Sequence, residues 1–175
     1  MCEWRSLYRS RRFFARLCEL PQYVQVEDPF PFMSVEDWHR ARDQFPMTVI
    51  CHCRDEATLQ WALRHDVADA LNLGGYATDF VCFATAAAIL NKDCWQGSSL
   101  ELGVGQHTRL HAASVAPNCL LSCDLQSEWV REHTLVTPRM QYANGCALVP
   151  DRPGLGIDLD HDAIKRYVKS DFEMV

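Results

Sequence analysis

Short apolar runs alternate with longer stretches of helical periodicity along most of this chain. Residues 5–20 carry apolar positions at helical spacing and stop at Pro21. Tyr23–Val26 is a short β-rich run closed by Glu27-Asp28-Pro29. Ser34 precedes two acidic residues, as at a helix N-terminus, and Val35, Trp38, Ala41 and Phe45 follow on one helical face before Pro46. Met47–Cys51 predicts a second strand, Asp55–His65 a helix, and Ala68–Leu73 a third strand ending at Gly74-Gly75. Thr78–Leu90 is an alanine-rich apolar helix, Cys94–Gln96 a fourth strand, Val104–Ala116 another helix and Leu120–Cys123 a fifth strand. A tail with Pro138, Pro150 and the turn-rich 151–156 leads to a last helix over Asp160–Lys169, acidic at its start and basic at its end.

Strands separated by helical patterns of this length mean βαβ units and a parallel sheet. The strands read as unbroken apolar runs, which suits a sheet covered on both faces. Five such strands fit an open doubly wound sheet or part of an eight-stranded barrel, and periodicity alone does not choose between them. No glycine-rich phosphate fingerprint follows the first strand.

Composition narrows the class. At 175 residues the chain is one domain, and 48% apolar against 23% charged residues is ordinary globular usage. A net charge of −6 argues against a protein that works by gripping phosphate backbones. Arg5, Arg9, Arg11, Arg12 and Arg16 cluster near the start, but Leu7, Phe13, Phe14 and Leu17 among them predict a helix with a solvated basic face. No apolar run is long enough for a membrane span or a secretory signal. Nine cysteines, an odd number partly inside apolar runs, are unlike a disulfide framework and point to the reducing cytoplasm.

Particular strings decide the fold class. Tyr23-Val-Gln-Val-Glu-Asp-Pro29, Ala68-Asp-Ala-Leu-Asn-Leu-Gly-Gly75, Gly97-Ser-Ser-Leu-Glu-Leu-Gly-Val-Gly105 with Leu110–Ala116, and Val149–Ile157 with Asp160 and Tyr167 come in order and at compatible spacings. Together they resemble the mandelate racemase and muconate lactonizing branch of the enolase superfamily, over nearly the whole chain from Tyr23 to Tyr167. The resemblance implies an α/β fold, a partial (β/α)8 TIM-type barrel made of about the last five units with parallel strands. It also implies that an N-terminal capping domain and the first three barrel strands lie outside residues 1–175.

What the resemblance implies chemically is proton abstraction alpha to a carboxylate, with the developing charge held on Mg²⁺. Barrels of this kind carry their functional groups at the carboxyl ends of the strands. Glu27 then stands where a metal-binding carboxylate belongs, with a solvated acidic loop as the plain alternative. The following strand should end in a further carboxylate, but it reads Cys51-His-Cys-Arg-Asp-Glu56 and places His52 nearest the end. Imidazole suits transition metals better than Mg²⁺. Gln96, Ser98, Glu101 and Asp124 are positioned to contact substrate. A separate zinc site from Cys51, His52, Cys53, Cys119 and Cys123 has spacings unlike those of zinc ribbons.

Acid/base residues are not recognisable. The sixth barrel strand, where relatives carry Lys or Asp, has no Lys in Ala70–Gly75, and Asp69 fits a structural role. The seventh, Cys94-Trp-Gln-Gly97, has no His. His107 and His111 share a helix face but lack the adjacent Glu of a metalloprotease helix, so packing is the simpler account. The implied parent activity is that of a Mg²⁺-dependent lyase or isomerase on a small carboxylate such as a sugar acid, by dehydration or by racemisation or epimerisation. Such a protein would be a homo-oligomer with no nucleic-acid or membrane partner. The alternatives are a catalytically inactive fragment and a non-catalytic assembly or binding module.

Overall fold

The structure, a computed structural model, describes residues 7–20, 25–32 and 34–168. Pro21, Tyr23, Val24, Arg5 and Lys169, which figure in the sequence reading, lie outside those residues. Helix α1 (Leu7–Cys18) precedes strand β1 (Gln25–Glu27), helix α2 (Val35–Gln44) and strand β2 (Thr48–Cys53). Helix α3 (Glu56–His65), strand β3 (Ala70–Leu73), helix α4 (Ala77–Ile89), strand β4 (Asp93–Gln96) and helix α5 (Gly103–Val115) continue the alternation. The four strands form one sheet in the order β1-β2-β3-β4, every pair parallel.

Register sorts the side chains into two faces, because successive residues of a strand point opposite ways. Cys51, Leu71 and Cys94 are partners in one row, Cys53, Leu73 and Gln96 in another. Both rows are buried and face the helices, where they pack with Leu59, Ala62, Phe80, Ala84 and Ala87. The alternate row, His52-Asn72-Trp95, faces the other way and belongs to the same side as Glu27, the partner of Ile50. Below α1 and α2, Phe14, Phe30, Phe45 and Trp38 make an aromatic core, with Phe14 5.5 and 5.6 Å from the rings of Phe30 and Phe45. Arg11, Arg12 and Arg16 are exposed, as an amphipathic helix requires.

The fifth strand departs from expectation. Leu120–Cys123 forms no extended ladder; a single parallel bridge joins Cys94 to Cys119, with Cys94 N–H donating to Asn118 O and Leu121 N–H to Cys94 O. Pairing therefore begins two residues early, at Asn118, and ends at Leu121, with the Leu120 side chain turned out to solvent. A run bonded on one side only has little to hold it extended.

The tail is more structured than its prolines and glycines suggested. Helix α6 (Ser127–Val130) and strand β5 (Val136–Thr137) lead to a hairpin of β6 (Tyr142–Ala143) and β7 (Cys146–Ala147), turned by Asn144-Gly145 with both φ angles positive. Strand β8 (Asp158–Leu159) returns antiparallel to β5, and helix α7 (His161–Tyr167) is capped by Asp160, which accepts from Ala163 N–H at 2.9 Å. Among the described residues no helix is long and apolar enough to cross a membrane.

Candidate metal and substrate site

Parallel strands deliver their carboxyl ends to one rim, and there the chain opens a cleft of about 870 Å³. Glu27, Asp28, His52, Asn72, Trp95, Ser98 and Asp124 line it, with Arg54, Tyr76, Arg109 and three glycines. Strand ends set these positions. Glu27 closes β1, His52 is one residue from the end of β2, and Asn72 and Trp95 are their register neighbours.

Glu27, Asp28 and His52 form the tightest group. One ligand atom from each lies within 4.8 Å of the others, and among the described residues no other three His, Cys, Asp or Glu side chains converge this way. His52 Nδ1 is 3.5 Å from Glu27 Oε1. Asp28 is 7% exposed, and its Oδ1 accepts the backbone N–H of His52 at 2.8 Å, which locks the ends of β1 and β2 together. Burial pushes the Asp28 carboxyl above its ordinary range, against that hydrogen bond. Its backbone φ is +45°, a conformation that costs a non-glycine residue energy and that neighbouring structure must enforce.

Asn72 completes this end. It is 4% exposed, its Nδ2 donates to Glu27 Oε1 at 2.7 Å, and its Oδ1 is buried without a partner. Gly97 makes room for it, since a Cβ there would fall 2.5 Å from Asn72 Oδ1. Trp95 Nε1 and Asp124 Oδ1 are likewise buried and unpartnered. Burial also raises the Asp124 carboxyl. Orphaned polar atoms are costly in a core, so their gathering at one cleft marks a place where something else supplies the partners.

The opposite wall is held by a buried ion pair. Glu101 takes hydrogen bonds from Ser98 Oγ at 2.8 Å, Ser99 N–H at 2.9 Å, Gln106 Nε2 at 3.1 Å and Arg109 Nε at 2.7 Å. Arg109 also donates to Gly97 O, and its guanidinium lies 5.0 Å from the centre of the Tyr76 ring. Burial opposes ionisation of Glu101, but the Ser99, Ser98 and Arg109 interactions outweigh it and hold the carboxyl below its ordinary range.

Of the residues singled out in the sequence, Glu27 and His52 come together, and Ser98 and Asp124 line the same cleft. Glu101 does not line it, because its carboxylate is spent on Arg109 and the 98–99 loop. Gln96 does not line it either. Its row faces the helices, it is 2% exposed, and its amide donates to Gly75 O at 3.4 Å. Asp28, Asn72 and Arg109 were missed. The strand period anchored on His52 would have found Asn72, whereas the turn at Asp28 and the burial of Arg109 leave no mark in the sequence.

The remaining motifs are structural. Asp69 receives Arg42 Nε and Val49 N–H, each at 2.8 Å, away from the cleft. His107 is buried with Nδ1 2.8 Å from Gly103 O, and His111 contacts Leu155 O. Cys51 and Cys53 pair at 4.0 Å and Cys119 and Cys123 at 3.8 Å, so the five residues of the zinc alternative do not converge.

An arc of parallel strands, each returned by a helix, with carboxylate and imidazole groups on its carboxyl-end rim, defines part of a (β/α) barrel. The family described as enolase C-terminal domain-like matches residues 2–163, and the chain belongs to it. The chloromuconate cycloisomerase of Cupriavidus necator is 29% identical over 157 residues, covering 83% of this chain and 41% of that protein. The muconate lactonizing enzyme structure from Pseudomonas putida superposes with a TM-score of 0.85 at 16% identity, over 97% of this chain and 48% of that one. An enolase-superfamily member from Listeria innocua gives 0.76 at 26% identity, over 91% and 45%. The chain spans less than half the length of these relatives.

Proposed function

We propose that this chain contributes the carboxyl-terminal barrel half of a site that abstracts a proton alpha to the carboxylate of a small substrate, assisted by a divalent cation. The convergence of Glu27, Asp28 and His52 at the strand ends supports the reading most directly. Two carboxylates offer hard oxygen ligands, and Asn72, whose Nδ2 donates to Glu27 while its Oδ1 has no partner, can turn a further oxygen to them, so the residues present fit a dication. A bound dication such as Mg²⁺ would neutralise the charge that develops as the alpha proton leaves.

The protein groups divide the remaining work. Glu27, Asp28 and His52 hold the ion. Asp124 contacts the substrate, and Ser98, its hydroxyl already held by Glu101, Leu100 and Gln106, shapes the rim beside it. Asp124, its carboxyl raised by burial and outside the ion's ligand set, is the cleft carboxyl free to carry a proton. With Asp124 as its proton carrier, this half of the site would serve dehydration of a sugar acid, and racemisation or epimerisation would need a second carrier.

Calorimetric titration of the purified chain with MgCl₂ and MnCl₂ tests the first half of the reading. Saturable binding of one ion is expected, with loss of affinity in Glu27→Gln. Proton NMR in D₂O then tests the second half, through exchange of the alpha proton of a panel of sugar acids. Cation binding without exchange would leave a non-catalytic binding or assembly module as the better account. Unchanged affinity in Glu27→Gln would retire that ligand.

A further inference from the structure

We infer that the rim site selects a transition dication of the Fe²⁺ to Zn²⁺ series over Mg²⁺, with His52 as the discriminating ligand. The inference rests on the cation reading above and specifies the ion. His52 turns Nδ1 toward Glu27 while its backbone N–H holds Asp28, and it is the partner of Asn72 in the row that faces the cleft. Its 3.5 Å separation from Glu27 Oε1 is close to the ligand-to-ligand edge of about 3.0–3.4 Å expected around an ion with bonds of about 2.1 Å. Little movement would bring both onto one centre.

The donor set decides the ion. Mg²⁺ takes near-octahedral oxygen ligands and gains little from a neutral imidazole, whereas borderline-soft ions bind imidazole strongly. One nitrogen among two carboxylates therefore lowers the site's net negative charge, which Mg²⁺ relies on, and adds a ligand that the later ions prefer. The position calls for a ligand whatever its type, since it faces Glu27 across the strand pair.

Asn72 supplies an independent sign that a ligand belongs here. It is 96% buried by its 4% exposure, lines the same cleft, and carries an Oδ1 with no partner. Its Nδ2 now satisfies Glu27 Oε1. A half-turn of the amide would set two oxygens face to face, which is unfavourable unless a cation lies between them. With an ion present, Glu27 no longer needs the amide proton and Asn72 Oδ1 gains a partner. An ion on the Glu27 side of the cleft would thus give that oxygen a partner once the amide turns.

Competition and direct titration with CoCl₂ and MgCl₂ separate the possibilities, with the visible d–d bands of Co²⁺ as a readout independent of activity. The wild-type chain should bind Co²⁺ more than tenfold tighter than Mg²⁺, with bands showing nitrogen ligation. His52→Asp, which restores an all-oxygen set, should bind Mg²⁺ more tightly, bind Co²⁺ less tightly by on the order of tenfold, and shift the bands. Circular dichroism checks its folding; should it fail to fold, His52→Gln must lose the Co²⁺ preference alone. Equal affinity for the two ions in the wild type, or a Co²⁺/Mg²⁺ ratio unmoved by His52 substitution while Glu27→Gln abolishes both, would overturn the imidazole assignment and leave the cation site standing. Failure of the wild-type chain to bind either ion would remove the cation reading itself, and this inference with it.

Discussion

Replacing Glu101 by Gln should be among the most damaging conservative changes in the chain. The two side chains of the Glu101–Arg109 pair are 7% and 5% exposed, so water screens neither charge. Oε1 receives Ser99 N–H and two Arg109 nitrogens, while Oε2 receives Ser98 Oγ and Gln106 Nε2. An amide can keep the first set but turns its NH₂ toward Gln106 Nε2, donor against donor. Ser98 Oγ cannot relieve this, because it already accepts from Leu100 N–H and Gln106 Nε2. Arg109 is left as a buried, uncompensated cation. Breaking one side of such a pair costs about 3–5 kcal/mol, equivalent to a fall in Tm of about 6–20 °C for a domain of this size.

Urea unfolding followed by circular dichroism measures the loss, and Arg109→Met with the double variant closes the cycle. The double variant removes both charges, so it should lose less than the sum of the singles by about 0.5–3 kcal/mol. The pH dependence carries the same logic. A carboxyl held below its ordinary value of 4.5 contributes stability that is complete above that pH and is lost as pH falls through the folded-state value. Wild type and Glu101→Gln should therefore converge in acid. A Glu101→Gln variant within about 1 kcal/mol of wild type, or strict additivity in the cycle, would refute the view that this pair holds the 97–101 loop.

Asp28→Asn should behave in the opposite sense. Burial raises this carboxyl, so its contribution to stability is present below its ordinary value of 3.8 and lost as pH rises through the folded-state value. The amide variant should have the higher Tm at pH 7 and no advantage at pH 3, and a divalent cation should reverse the order at pH 7 by stabilising the wild type alone. A Tm difference independent of pH would count against it. Gly103→Ala should detach the tail from α5, because its methyl would stand 2.1 Å from Val136 Cγ2 and 2.8 Å from Thr134 O. A loss of about 1–3 kcal/mol is expected, with faster proteolysis between Leu125 and Leu135; wild-type cleavage rates would exclude the mechanism.

The alternation of apolar runs and helical patterns was enough to place the four paired strands, since a strand buried on both faces leaves an uninterrupted hydrophobic run. It failed at Leu120–Cys123, where composition says strand but hydrogen-bond partners exist on one side only. It failed again in the tail, where two-residue strands are too short to show a period, although Asn144-Gly145 was a legible hairpin turn. The site divides along the same line. Glu27 and His52 were singled out because the family resemblance puts a metal-binding group at the end of each of their strands. Gln96 looked equivalent, yet one position along β4 moves a side chain from the cleft to the helix face, and the parity of a strand becomes visible only when a neighbour fixes its register. Glu101 shows the remaining gap: a carboxylate beside a rim is free for substrate only if no cation reaches it, and Arg109, eight residues on, reaches it solely because α5 begins where Gly103 packs against Val136. Charge in a sequence is countable, but its availability depends on what the fold has already paired.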